Sequence, residues 1–103
     1  MKQVASARRT IRLFPDYGRD YPLWEDSTPT WDVGYTTTPE TYGLSAQLAA
    51  TLAAWQGFWE THFDPFDGWD THENQKRWKR HGGRVARDLQ EEVRGFADVQ
   101  AEF

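Results

Sequence analysis

The sequence predicts an α+β fold: two antiparallel helices packed on a small two- or three-stranded sheet formed by the terminal strands. Three observations carry this. Leu44, Leu48, Leu52, Trp55 and Trp59 recur at the three- and four-residue spacing of one helical face. Trp78, Val85, Leu89, Val93 and Phe96 continue a second such face, with Gly82 in its gap. Thr10–Phe14 and the segment after Gly95 alternate apolar and polar residues, the two-residue period of strands. Helices on one face of a small sheet bury both apolar surfaces at once, and the two terminal strands are expected to pair because neither is stable alone.

Taken in order, residues 1–9 are polar and basic without periodicity and are expected to fray. Thr10–Phe14 reads as a strand with Ile11 and Leu13 on one face, ended by the turn Pro15-Asp16-Tyr17-Gly18. Residues 19–43 read as a long irregular stretch punctuated by Pro22, Pro29 and Pro39 and pinned to the body by its aromatic residues. Within it, alternation of Trp31, Val33 and Tyr35 suggests a short edge strand over 31–37. The central helix runs from about 45 to 62, with Ser45 as N-cap, because its hydroxyl can accept an N–H of the first turn. Pro65 disfavours helix at Asp64 and ends it. Phe66-Asp67-Gly68-Trp69 reads as a turn, and Asp70 with Glu73 as the capping box of a second helix. Gly82-Gly83 weakens that helix by roughly 1 kcal/mol per Gly relative to Ala, or lets it approach the first helix closely. Gly95 reads as its C-cap, and Asp98–Glu102 as the core of the terminal strand.

Composition narrows the function. The 103 residues suit one domain, 1–103, able to bury a core without staples. The chain holds no Cys, which removes disulfides, thiolate chemistry and Cys-based zinc sites and suits a cytoplasmic protein. No apolar run approaches the ~20 residues of a membrane helix, and the N-terminus shows no apolar secretory signal. Val, Ile and Leu together number 12 against 16 aromatic residues, so rings must supply much of the buried area. Residues 13–73 hold 11 acidic residues and one basic residue, Arg19, whereas both flanks are net basic. A bulk basic surface for nucleic acid is absent.

Asp16-Tyr17-Gly18 is followed by Tyr21-Pro22-Leu23-Trp24, then by Leu44-Ser45, Leu48, Leu52, Trp55, Gly68-Trp69, Trp78 and Leu89-Gln90. In this order of elements, over roughly residues 10–95, the chain resembles a group of small uncharacterised actinobacterial proteins. The resemblance implies a self-contained small domain and brings no catalytic activity with it. The stretch from Ser27 to Tyr42 is longer than the loop expected from that group.

Three functional readings follow from the residues. The first is a non-enzymatic interaction domain, immunity- or inhibitor-like, binding a partner protein with a basic surface. Its site would be Tyr17, Tyr21, Trp24, Glu25, Asp26 and Trp31, perhaps joined by 60–73: aromatic anchors supply affinity and carboxylates steer encounter. Against it stands the plainer reading of these rings as pegs into the core. The second is a small enzyme or metal-binding protein using His62, Asp64, Asp67, Asp70, His72 and Glu73. Their spacing matches neither a His-Glu-x-x-His helix nor a calcium loop, and helix-capping acids on a solvated turn explain them as well. No metal and no cofactor is therefore expected. The third is phosphate contact through Lys76, Arg77, Lys79, Arg80, His81, Arg84 and Arg87, weighed against pairing of this face with the chain's own acidic middle. No Ser sits in a nucleophile-elbow context. The first reading is the one the sequence favours.

Overall fold

Arg9–Leu13 forms strand β1 in the computed structural model, which describes residues 8–25 and 37–103. Ile11 and Leu13 are wholly buried on its inner face. Ala97–Ala101, strand β5, lies parallel to β1 with Ile11 opposite Val99 and Leu13 opposite Ala101. Parallel neighbours require a long crossover, and here the crossover contains both long helices. The two terminal strands are thus neighbours, as their alternation predicts. On its other edge β1 pairs antiparallel with Leu23–Glu25, strand β2, giving the order β2-β1-β5.

Strand β2 and a one-turn helix, α1 (Pro39–Tyr42), correct the reading of 19–43 as wholly irregular. Three residues of alternation are too few to stand out in a sequence. Pro39 starts α1 and Gly43, left-handed at φ 65°, closes it. The edge strand expected over 31–37 lies outside the described residues apart from Thr37.

Helix α2 spans Ala46–His62 and α3 spans His72–Val93. Ser45 caps α2, its Oγ accepting from Leu48 N at 3.1 Å. Glu92 of α3 in turn accepts from Ser45 N at 2.8 Å and from Ser45 Oγ at 2.7 Å, tying the start of one helix to the end of the other. At the start of α3 the cap is Thr71, whose Oγ1 accepts from Asn74 N at 3.0 Å. The expected Asp70–Glu73 box does not form, because Asp70 is engaged by His62 across the gap between the helices. Gly95 does not adopt the left-handed conformation of a C-cap: α3 ends at Arg94 in right-handed geometry, and Phe96 N bonds Val93 O at 2.9 Å. Between the helices, Phe63–Asp64 (β3) and Gly68–Trp69 (β4) pair as a small hairpin, where a plain turn was expected. Asp64 Oδ1 accepts from Phe66 N and Asp67 N and holds its tip.

Leu48, Leu52, Trp55, Trp78, Val85 and Leu89 share one core with Ile11, Leu13 and Leu23. At its centre the Trp55 and Trp78 indoles stack, 4.3 Å between centroids and 4° from parallel. Each indole N–H donates to the other residue's carbonyl at 3.0 Å, so both buried polar atoms are satisfied. Phe103 meets both rings edge-on. A Cβ at Gly82 would lie 2.7 Å from Trp55 Cζ2 and 2.6 Å from Phe103 Cε2. Gly82 therefore leaves the space that the Trp55 and Phe103 rings occupy, while a Cβ at Gly83 would meet nothing.

On the inner face of the sheet the period of two aligns Arg9 with Ile11 and Leu13, and Glu25 with Leu23. Glu25 lies opposite Ile11 and is wholly buried. The Arg9 guanidinium reaches it diagonally, Nε donating to Oε2 at 3.0 Å and Nη2 to Oε1 at 2.8 Å. The Tyr42 hydroxyl donates to Glu25 Oε1 at 2.8 Å and lies 3.0 Å from Thr37 Oγ1; with one proton to give, it accepts the Thr37 proton. Burial first, and then the Glu25 carboxylate, push the Tyr42 phenol far above its ordinary range. The hydrogen bonds that Arg9 donates to Glu25 likewise hold its guanidinium in the charged form. Glu25, assigned from the sequence to the partner-binding segment, is instead turned inward by the alternation along β2, where Arg9 and Tyr42 receive it.

Two predictions follow. Gly82→Ala should lower stability by about 1–3 kcal/mol through overpacking against Trp55, despite its better helix propensity, whereas Gly83→Ala should raise it by up to about 1 kcal/mol. Urea denaturation of the two variants checks the sign of each. Arg9→Met should cost on the order of 3 kcal/mol by stranding a buried carboxylate, and adding Glu25→Leu should recover most of that loss. A double variant no more stable than the single one would show that the pair contributes more than mutual neutralisation.

Candidate partner-binding surface

Rings too numerous for the core emerge at one end of the molecule. From the Trp55–Trp78 stack, Trp69 packs on Trp78 at 5.4 Å and Phe63 on Trp69 at 5.7 Å. Trp59 then stacks on Phe63 at 5.2 Å, and Tyr17 packs on Trp59 at 4.5 Å. The β1–β2 turn is fixed to this row, because the Tyr17 hydroxyl donates to Phe63 O at 3.1 Å and Gln56 Nε2 donates to Asp16 O at 2.7 Å. Gly18, at φ 76°, allows the turn. Tyr17 is left 42% exposed, and Phe66, at the hairpin tip, 93% exposed. A ring so exposed gains nothing for the fold.

Carboxylates surround these rings. Partial burial, followed by the charges of Asp64, Glu60 and Asp16, pushes the Tyr17 phenol above its ordinary range. A shallow recess of about 400 Å³ beside the hairpin is walled by Glu60, Asp64, Asp67 and Asp70 together with Phe63 and Trp69. Asp16, Glu60, Asp64 and Asp67 are all exposed, and none has an ion-pair partner among the described residues. The chemistry on offer is that of aromatic anchors rimmed with negative charge.

The residues singled out in the sequence divide accordingly. Tyr17 lies on this surface. Tyr21 is half-buried and packs against the core. Trp24 is half-buried on the outer face of the sheet, its ring stacked on Phe14 at 4.7 Å and its N–H donating to Phe14 O at 2.9 Å. Arg19, the basic residue of the acidic stretch, lies 5.5 Å over the Trp24 ring. Glu25 is in the interior network described above, and Asp26 and Trp31 lie outside the described residues. Phe66 was missed as a site residue. Its signal was present: a ring inside Asp64-Pro65-Phe66-Asp67-Gly68, where nothing in the turn requires one.

The His/Asp group at 62–73 forms a latch between helices. His62 Nδ1 lies 2.7 Å from Asp70 Oδ2, and Asn74 Nδ2 donates to Asp70 Oδ1 at 3.1 Å. Among the described residues, no three His, Cys, Asp or Glu side chains group closely enough to hold a metal ion. Among those residues, too, no helix is long and apolar enough to cross a membrane.

The bond with His62, then that with Asn74, holds the Asp70 carboxyl below its usual range. A depressed folded-state pKa stabilises the fold above the unfolded value of 3.8, and that stabilisation is lost as pH falls through the lower folded value. The wild-type melting temperature should therefore drop on acidification below about pH 4 more steeply than that of Asp70→Asn. Parallel acid slopes in calorimetry would place the acid sensitivity elsewhere.

No curated protein matches the chain at a significant level. A family model described as "Serratia CdiI immunity protein-like" matches residues 9–100, from the first residue of β1 to Gln100 in β5. Its span takes in the three-stranded sheet, both long helices and the acidic aromatic end, and the chain belongs to the Serratia CdiI immunity protein-like family.

Proposed function

We propose that this chain is an immunity protein that acts by binding a toxic partner protein, and that its contact surface is the acidic aromatic end built on the β3–β4 hairpin and the β1–β2 turn. The observation that carries the reading is Phe66, 93% exposed between Asp64 and Asp67 on a hairpin braced by hydrogen bonds. Family membership supports the immunity role; the local charge supports a basic partner surface. A rigid, preformed ring loses little entropy when it docks, and unpaired carboxylates around it speed encounter with a cationic surface and repel acidic competitors. Tyr17 extends the anchor, since its ring is already held against Trp59 and its hydroxyl already bonded to Phe63 O.

The test is affinity capture from lysate of the native host, with wild type, Phe66→Ala and Glu60→Lys/Asp67→Lys immobilised side by side. All three should melt alike, because each changed side chain is exposed. A basic protein retained by wild type should wash off Phe66→Ala faster and associate more slowly with the charge-reversed variant, with a weaker dependence on salt. The captured protein should also be toxic when expressed without this chain. Retention of the same protein by all three would remove this end from the interface.

A further inference from the structure

Among the described residues, the basic run of α3 finds no ion-pair partner. Lys76, Arg80, Arg84 and Arg87 line one exposed face of the helix, and no acidic residue occurs between Glu73 and Asp88. Among the described residues none of these four cations is ion-paired. The described acids of the middle stretch, which were expected to neutralise this face, do not pair with it; Asp26 and Asp32 lie outside the described residues. Beside the stripe, in the seam of α3 with α2, there is a cavity of about 180 Å³ with Ala54, Trp55, Phe58 and Trp78 as its walls and Arg77 and His81 at its edge. Its surface is almost wholly apolar and its rim is cationic, and it has room for one side chain.

We infer that the stripe and cavity together form a second docking surface, whose occupant is a short acidic segment of a protein partner carrying one aromatic or large aliphatic residue. Charge complementarity selects the acidic segment. The cavity selects the anchor, because an apolar pocket walled by Trp55, Phe58 and Trp78 rewards a ring and gives nothing to a phosphate. The stripe is also bounded. Glu73 precedes it and Asp88, Glu91 and Glu92 follow it, so an extended polyanion would meet repulsion at both ends. Between those limits the helix offers about 16 Å, the length of about five residues of extended chain. This favours a peptide over a nucleic acid. The inference rests on the reading of the chain as a protein-binding domain, but it concerns a different face and uses none of Tyr17, Asp64, Phe66 or Asp67.

The probe is a fluorescently labelled ten-residue peptide rich in Glu and Asp with one central Phe. It is compared with the same peptide carrying Ala at that position and with an oligothymidylate of equal charge. In anisotropy titrations the Phe peptide should bind about tenfold more tightly than the Ala peptide, the value of burying one ring. Ala54→Phe, at an exposed position on the cavity wall, should fill the cavity and abolish that difference. Arg80→Glu/Arg84→Glu should weaken both peptides. Equal binding of the two peptides, no binding, or tighter binding of the oligothymidylate would overturn the inference. Because the probes do not engage the hairpin end, failure here leaves the capture result at Phe66 standing, and failure there leaves this one.

Discussion

The reciprocal pair of Trp55 and Trp78 is the contact from which the rest of the structure takes its position. Two indoles stacked 4.3 Å apart, each donating to the other's backbone, fix the distance and the register of α2 against α3 at once. An apolar pair would fix the distance alone, since dispersion has no preferred direction. The close approach leaves room for no side chain at Gly82. Once the helices are set, the hairpin between them has nowhere to go but outward, and the row Trp69, Phe63, Trp59, Tyr17 leads from the core to the surface. The exposed ring at the hairpin tip is thereby mounted on a hairpin held by packed rings and hydrogen bonds, which is what a preorganised anchor requires.

The buried polar network plays a different part. Arg9, Glu25, Tyr42 and Thr37 join β1, β2 and the short helix α1 through charge-assisted hydrogen bonds. Such a network adds little net stability over a well-packed apolar equivalent. It does select one arrangement, because a one-residue slip of β2 would turn Glu25 to solvent, Trp24 to the core, and leave Arg9 and Tyr42 without their acceptor. The same alternation sets Trp24 on the outer face, against Phe14 and beneath Arg19.

Charge in this chain is separated in space as it is in sequence. Asp16, Glu60, Asp64 and Asp67 gather at the hairpin end without an ion-pair partner among the described residues, and Lys76, Arg80, Arg84 and Arg87 line a face of α3. Arg8–Asp98 and Arg12–Glu102 instead join the two terminal strands; the bond from Arg12 holds the Glu102 carboxyl below its usual range.

Periodic burial was legible in the sequence. The helical spacing of Leu48, Leu52, Trp55, Trp78, Val85 and Leu89 and the alternation around Ile11 determined which elements form and which faces they bury, because those periods follow from backbone geometry alone. Ser45 was legible as a cap for the same local reason. Features that depend on partners distant in the chain were decided only by tertiary structure. Asp70 and Thr71 are both good caps, and contact with His62, eight residues before Asp70, chose between them. Glu25 reads as one more solvated acid until Arg9 and Tyr42 arrive from either side of it in the chain. Tyr21 and Trp24 have the same local character as Tyr17, yet packing buried much of the first two and left the third on the surface. Sequence fixes a residue's preference for water or for the core; where the supply of rings exceeds the room in that core, only the assembled fold determines which of them remain outside.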